Sequence, residues 1–151
     1  MNTNTSTQPA GQMDIRPALP TTRMEQVEKI LTIGGRALVA LLFILAGVAK
    51  IIDPKPFLEH MTQFGVPTFL LPAVIALELG AGLAIVIGWR VRDAAGALAL
   101  FCVMTAAIFH HELSIKPERT LFFKDLAIAG GLFVMAASAA VRARTKGRVF
   151  G

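Results

Sequence analysis

Four apolar stretches, at about residues 33–52, 68–88, 94–110 and 121–141, leave this sequence few ways to fold. Each is close to the length of about 20 residues that a helix needs to cross the roughly 30 Å hydrocarbon layer of a bilayer. No strand alternation runs long enough for a membrane barrel. A large soluble core is the alternative, and composition argues against it. Of the 151 residues 54% are apolar and 17% charged, against about 45–50% and about 25% in soluble domains. Fifteen Lys/Arg and ten Asp/Glu are too few to cover the roughly one third of its surface that such a domain leaves in water. The predicted fold is all-α: a polytopic membrane protein with four transmembrane helices in a bundle. The single cysteine, Cys102, permits no intramolecular disulfide and no two-thiol shuttle.

The segments between the stretches set the order of the elements. Residues 1–28 are rich in Asn, Thr, Ser, Gln and Pro and read as a flexible polar tail. They do not read as a signal peptide, because the apolar stretch begins too late and runs too long. Asp53-Pro54-Lys55-Pro56 ends the first stretch. Phe57, Leu58, Met61 and Phe64 then recur at helical spacing, which predicts a short interfacial helix closed by Gly65 and Pro67. The second and third stretches are separated only by the short Arg90–Asp93 connection, so they form an antiparallel hairpin. Asp93 is placed to N-cap the third helix. A polar loop with Lys116-Pro117 leads to about Thr120. Gly80, Ala84 and Gly88, together with Ala95 and Ala99, are small residues at i, i+4 spacing, a pattern that lets helices approach closely. Gly34-Gly35 and Gly130-Gly131 read as close-approach points too.

The net charge of +5 suggests nucleic acid until its placement is considered. Arg142, Arg144, Lys146 and Arg148 directly follow the last apolar stretch, in a basic tail at 142–151, where a cytoplasmic membrane flank belongs. No aromatics interleave with a basic stripe, so no nucleic-acid partner is expected. With four spans, both termini share a side with the loop between the second and third helices. That side holds Arg16, Arg23, Lys29, Arg36, Arg90, Arg92 and the four C-terminal cations. The other holds Lys50, Lys55, Lys116, Arg119 and Lys124. The positive-inside rule therefore expects both termini in the cytoplasm.

An ionised side chain at helix centre costs roughly 2.5–3.5 kcal/mol on insertion scales, so the few inside these spans are informative. Glu78 lies near the middle of the second helix. Lys50, His110, His111, Lys124 and Asp125 lie at one depth near the outward ends of the others, where together with Glu78 they could line a polar cavity. Plainer readings exist for most. The lysines could snorkel to headgroups, Asp125 could be a helix-start carboxylate, and the histidines could be interface residues. Glu78 is too deep to snorkel and must pair, protonate or meet water. Haem and metal ligation are weakly supported, since His60 is the only other histidine and no Glu-x-x-His occurs. No strand leads into a Gly-rich nucleotide loop.

The order Arg36, Phe43, Gly47, Lys50, then Gly65-Val66-Pro67, Glu78 with Gly80, Gly88 before Arg92, His110, and Lys124-Asp125-Leu126-Ala127 running into Gly130-Gly131-Leu132 resembles the DoxX family of small four-helix membrane proteins. The resemblance covers about residues 33–140 and sets a DoxX-like domain at 29–141. Its strength lies in the ordered set and not in any one motif. Members often carry Asn where this chain has Asp125, an added charge. The resemblance implies a bacterial inner-membrane protein, related to membrane subunits of a thiosulfate:quinone oxidoreductase or to membrane partners of enzymes handling redox defence, catechols and quinones.

The leading functional reading joins the cluster to that resemblance: the membrane component of a quinone-linked or redox-defence oxidoreductase system. Glu78 would hold or relay a proton, His110 would hydrogen-bond a carbonyl or phenol oxygen, and Lys50 and Lys124 would stabilise an anionic partner. The expected partners are the lipid bilayer, a quinone or similar redox substrate, and an oxidoreductase subunit or a second copy of the chain. Two rivals stand beside it. One is a non-catalytic scaffold whose charged cluster fixes bundle register. The other is a small transporter, disfavoured because the chain lacks inverted repeats.

Overall fold

The computed structural model describes residues 21–149. Residues 1–20, most of the segment read as a polar tail, lie outside the described residues. The chain forms α1 (Thr21–Ile52), α2 (Lys55–Gln63), a 3-10 turn (Thr68–Leu70), α3 (Leu71–Ile87), α4 (Val91–Phe109) and α5 (Lys116–Val149). The described residues are all-helical apart from turns, and four helices are long and apolar enough to cross a membrane.

Both outer helices run past their apolar stretches. At about 1.5 Å per residue, the 32 residues of α1 extend roughly 48 Å, well beyond the hydrocarbon layer. Residues 21–28, read as tail, are therefore helical, and so are residues 142–149 of the basic tail. The reason is cooperative. Once a span is formed, each added residue gains a backbone hydrogen bond without a new nucleation cost, and Met24, Glu25, Gln26 and Glu28 are good helix formers. Arg142 Nη2 donates to Glu28 Oε1 and Thr32 Oγ1, both at 3.2 Å, tying α5 to α1 at this end.

The helices pack in the order α1, α3, α4, α5, with α3 and α4 burying more of their length than the outer two. Ile85, Leu98 and Leu132 are fully buried at the centre, joined by Ala40, Phe43 and Ala129. Leu38, Leu45, Leu83, Ile87, Leu100 and Val134 are exposed, the lipid-facing surface expected of a helix apolar all round. Ala95 and Ala99 are buried on the α4 seam, as their spacing predicts, and Cys102 and Ala106 extend it.

The close approach of α1 and α3 centres on Gly47 and Gly82, which were not among the expected glycines, while of the expected stripe Ala84 is buried and Gly88 lies against Arg36 of α1. A Cβ on Gly82 would lie 2.9 Å from Ile44 Cγ1 and 3.4 Å from the Ala40 carbonyl oxygen, and one on Gly47 would lie 2.8 Å from Leu79. Gly34, Gly35, Gly80, Gly130 and Gly131 have nothing within 4 Å of that position. Spacing alone marks a small-residue stripe but does not say which way it faces. The turn between α3 and α4 also differs in detail. Gly88 takes a left-handed φ of 82° and ends α3, and Arg90 N-caps α4 at φ 43°. Asp93 therefore sits in the first turn and not at the cap, accepting from Arg90 Nε at 2.8 Å. Arg36 reaches across from α1 and donates through Nε and Nη2 to the Ile85 carbonyl, a cation at the negative end of α3.

At the opposite end, α2 ends in a Schellman motif. The Gly65 N–H donates to the Thr62 carbonyl at 3.1 Å and the Val66 N–H to the Met61 carbonyl at 2.8 Å, with Gly65 at φ 69°. This turn aims the inner face of α2 down onto the bundle. Gly82→Ala is expected to destabilise the protein by about 1–3 kcal/mol through overpacking. Gly80→Ala is expected to stabilise it by about 0.5–1 kcal/mol through helix propensity. Unfolding midpoints in detergent micelles check both.

Candidate functional site

At the end of the bundle away from the termini, the helices diverge around a cavity of about 530 Å³. Its walls are α1, α3, α4 and α5, and α2 roofs it with Phe57, His60 and Met61, residues at i, i+3 and i+4 on one face. Most of the lining is apolar. Glu78, His110, Lys50 and Lys124, the four candidates read from sequence, all reach this cavity, and Asp125 and Cys102 join them.

Glu78 does not stand alone. Lys50 Nζ lies 2.9 Å from both carboxylate oxygens, and the two side chains are only 13% and 4% exposed. The local sequence makes this possible. Gly47 sits one turn before Lys50 and lets α3 approach so closely that its Cβ position is 3.5 Å from Glu78 Cβ. The ammonium also lies 3.4 Å from the Ala46 carbonyl and 4.8 Å from the Phe57 ring centroid, which gives it a full set of partners. Lys50 is thus a buried ion-pair partner and not a snorkelling cation.

His110 forms the second polar centre. It C-caps α4, and its Nδ1 lies 2.7 Å from Glu118 Oε2. An ionised carboxylate only accepts, so Nδ1 carries the hydrogen and Nε2 faces the other way, 3.9 Å from Asp125 Oδ2. Glu118 was not singled out from sequence because residues up to Thr120 read as loop. The helix starts at Lys116, and the available signal was Pro117 followed by an acidic residue, a helix-start pattern. Asp125 consequently lies well inside α5 and is not a helix-start carboxylate. Its carboxylate accepts no hydrogen bond among the described residues, with Lys124 Nζ 3.8 Å from Oδ1. Lys124 itself is 56% exposed and touches the cavity only at its edge.

The other histidines serve the roof. His60 stacks on Phe109 with centroids 4.9 Å apart and an interplanar angle of 23°, and Phe64 packs edge-on against both rings. His111 turns its Nδ1 to the Ile108 carbonyl at 3.1 Å. Among the described residues no group of three or more His, Cys, Asp and Glu is arranged to hold a metal ion. The arrangement is an apolar, aromatic-roofed chamber with a buried ion pair on one wall and an imidazole–carboxylate pair on another. Breaking a buried ion pair by removing one partner costs about 3–5 kcal/mol, whereas replacing both with apolar groups is often neutral. Lys50→Met and Glu78→Gln are therefore each expected to lower the unfolding midpoint in detergent, and the double variant Lys50→Met/Glu78→Met to restore most of it.

Comparison with known proteins agrees with this architecture. The DoxX family model matches residues 31–111. The inner membrane protein YqjF of Escherichia coli (strain K12) is 38% identical over 113 residues, covering 75% of this chain and 87% of that protein. The inner membrane protein YphA of the same organism is 30% identical over 114 residues, covering 71% and 81%. No solved structure matches the chain significantly. With the first three spans inside the family match and a fourth completing the bundle, the chain belongs to the DoxX family of integral inner-membrane proteins.

Proposed function

We propose that this protein is the membrane component of a quinone-linked redox system and that the cavity binds a flat, lipid-soluble ring from the quinone class. The observation that carries the reading is the chamber itself. Its volume of about 530 Å³ lies within the roughly 300–1,000 Å³ range of small-molecule sites. Its polar groups are confined to a few positions on an otherwise apolar wall, which suits a ring with oxygens at its edge. Phe57, His60 and Phe109 would stack on or edge the ring. His110, oriented by Glu118, would meet a ring oxygen.

The Lys50–Glu78 pair would supply a fixed dipole beside the ring, and a shift of the shared proton toward Glu78 would let the site follow a change of ligand charge. Lys124 at the rim would favour an anionic form of the ligand over a cationic one. An oxidoreductase partner would exchange electrons with the bound ring. The purified protein is expected to bind a naphthoquinone or its reduced diol with a micromolar Kd. His110→Ala is expected to weaken that binding about tenfold, or about 1.4 kcal/mol. Equilibrium dialysis in detergent measures both, and binding of neither compound would overturn the reading.

One observation favours a scaffold as the second reading: the bidentate Lys50–Glu78 contact joins α1 to α3. A scaffold would lose partner assembly in Glu78→Gln with ligand binding intact. The uneven Lys/Arg count supports both termini in the cytoplasm and the cavity on the outer half of the membrane. A C-terminal fusion to a reporter that fluoresces only in the cytoplasm is expected to be bright, and a fusion in the loop near Ile115 dark.

A further inference from the structure

We infer that the cavity selects a hydroxyl-bearing ring, the reduced member of a quinone-type couple, through the gap between His110 and Asp125. The inference rests on the reading of the cavity as a ring site and names which form of the ring it holds. Nε2 of His110 and Oδ2 of Asp125 are 3.9 Å apart, beyond hydrogen-bond distance. Both side chains are 16% exposed, both line the cavity, and Asp125 accepts no hydrogen bond among the described residues. The two atoms face the cavity across a gap wide enough for one hydroxyl oxygen to enter between them.

The chemistry of that group follows from its neighbours. With Nδ1–H donated to Glu118, a neutral His110 presents a lone pair at Nε2, and two acceptors then face one gap. A hydroxyl donates to one of them. Were His110 protonated, Nε2–H would donate into the gap, and a hydroxyl oxygen would accept it while its own hydrogen went to Asp125. With His110 protonated, one hydroxyl oxygen about 2.8 Å from each atom bridges the gap, and with His110 neutral the hydroxyl donates to Asp125, the charged and stronger acceptor. A carbonyl oxygen has no hydrogen to give, so it leaves Asp125 unpaired in both states and sets one acceptor against another. A cationic donor is opposed by Lys124, 3.8 Å from Asp125 Oδ1, and by Lys50 in the same chamber.

The gap lies beside the apolar wall, which fits a hydroxyl on a ring and not a free polyol. Asp125 is thus a specificity-determining residue, and its charge has a ligand-directed use.

The test compares 2-naphthol with 2-methoxynaphthalene, which share a ring system and differ in the hydroxyl hydrogen. Neither needs reduction or oxidation. Equilibrium dialysis against the purified full chain in detergent is expected to show naphthol binding at least tenfold more tightly. Asp125→Asn can pair with Nε2 through its own amide and close the gap, so it is expected to bring the two affinities within twofold while gel filtration stays unchanged. Equal affinities for the wild-type protein overturn the inference and leave the ring site standing. So does discrimination that survives Asp125→Asn. Binding of neither compound overturns both. If Asp125→Asn fails to fold, His110→Gln serves the same comparison, and retained tenfold discrimination in that variant overturns the inference.

Discussion

The buried contact between Lys50 and Glu78 is the constraint on which the loop end of this bundle depends. Neither charge belongs in hydrocarbon alone. Each is admitted because the other is 2.9 Å away through both carboxylate oxygens, and that distance requires α1 and α3 to lie nearly side chain to backbone. Gly47 provides the clearance for this contact, and Gly82 keeps the same two helices close further along α3. Close packing at these points brings α1 and α3 together along one line. The chamber lies between this contact and the outward ends of α4 and α5. The ion pair is therefore as much a consequence of helix packing as a cause of it, and changes at Gly47 should be felt by the charges as well as by the apolar core.

The fourth helix holds the other half of the polar chemistry, and its role depends on where it starts. Beginning at Lys116, it places Glu118 behind His110 and Asp125 in front of it, separated by two turns on one helix. The imidazole is held by Glu118 on one side and faces Asp125 at 3.9 Å on the other. A helix starting at residue 121 would leave Glu118 in a loop and Asp125 at a terminus, with its charge offset by the macrodipole. A shift of about one turn in a boundary thus separates a solvated carboxylate from one that lines the cavity. Cys102 sits in the same chamber as part of the packed α4 seam, consistent with a small apolar filler.

Span number, approximate span limits and the interfacial helix were legible because each is written in residues adjacent in sequence: apolar length for the spans, a three- and four-residue period for α2, and Gly65 for its end. The common depth of Lys50, His110, Lys124 and Asp125 was legible too, since an antiparallel bundle converts position along each span into height in the membrane. What sequence spacing could not carry was rotation about each helix axis. Gly80 and Gly82 differ by about 200° around α3, and only the packed structure shows that Gly82 is the one facing α1. The same ambiguity hid the division of labour in the polar cluster. Lys50 and Lys124 share a depth, but Lys50 turns inward to Glu78 and Lys124 turns largely outward.

The two ends of the bundle meet the problem of polar groups in a membrane differently. At the termini end, Arg36 reaches the α3 carboxyl end, Arg90 meets Asp93, and Arg142 meets Glu28, each cation facing an acceptor within the protein. The Arg90–Asp93 and Arg142–Glu28 contacts are exposed and add little energy individually, whereas the Arg36 contact is partly buried and joins α1 to α3. At the loop end, the ion pair is largely buried and the His110 clamp partly so, and space is retained between them. A bundle that needed only to be stable would gain by filling that space with side chains, since an apolar cavity forfeits dispersion contacts in proportion to its size. The space of about 530 Å³ kept open there, lined by the Lys50–Glu78 pair, His110 and Asp125, is the feature on which the proposed ring site rests.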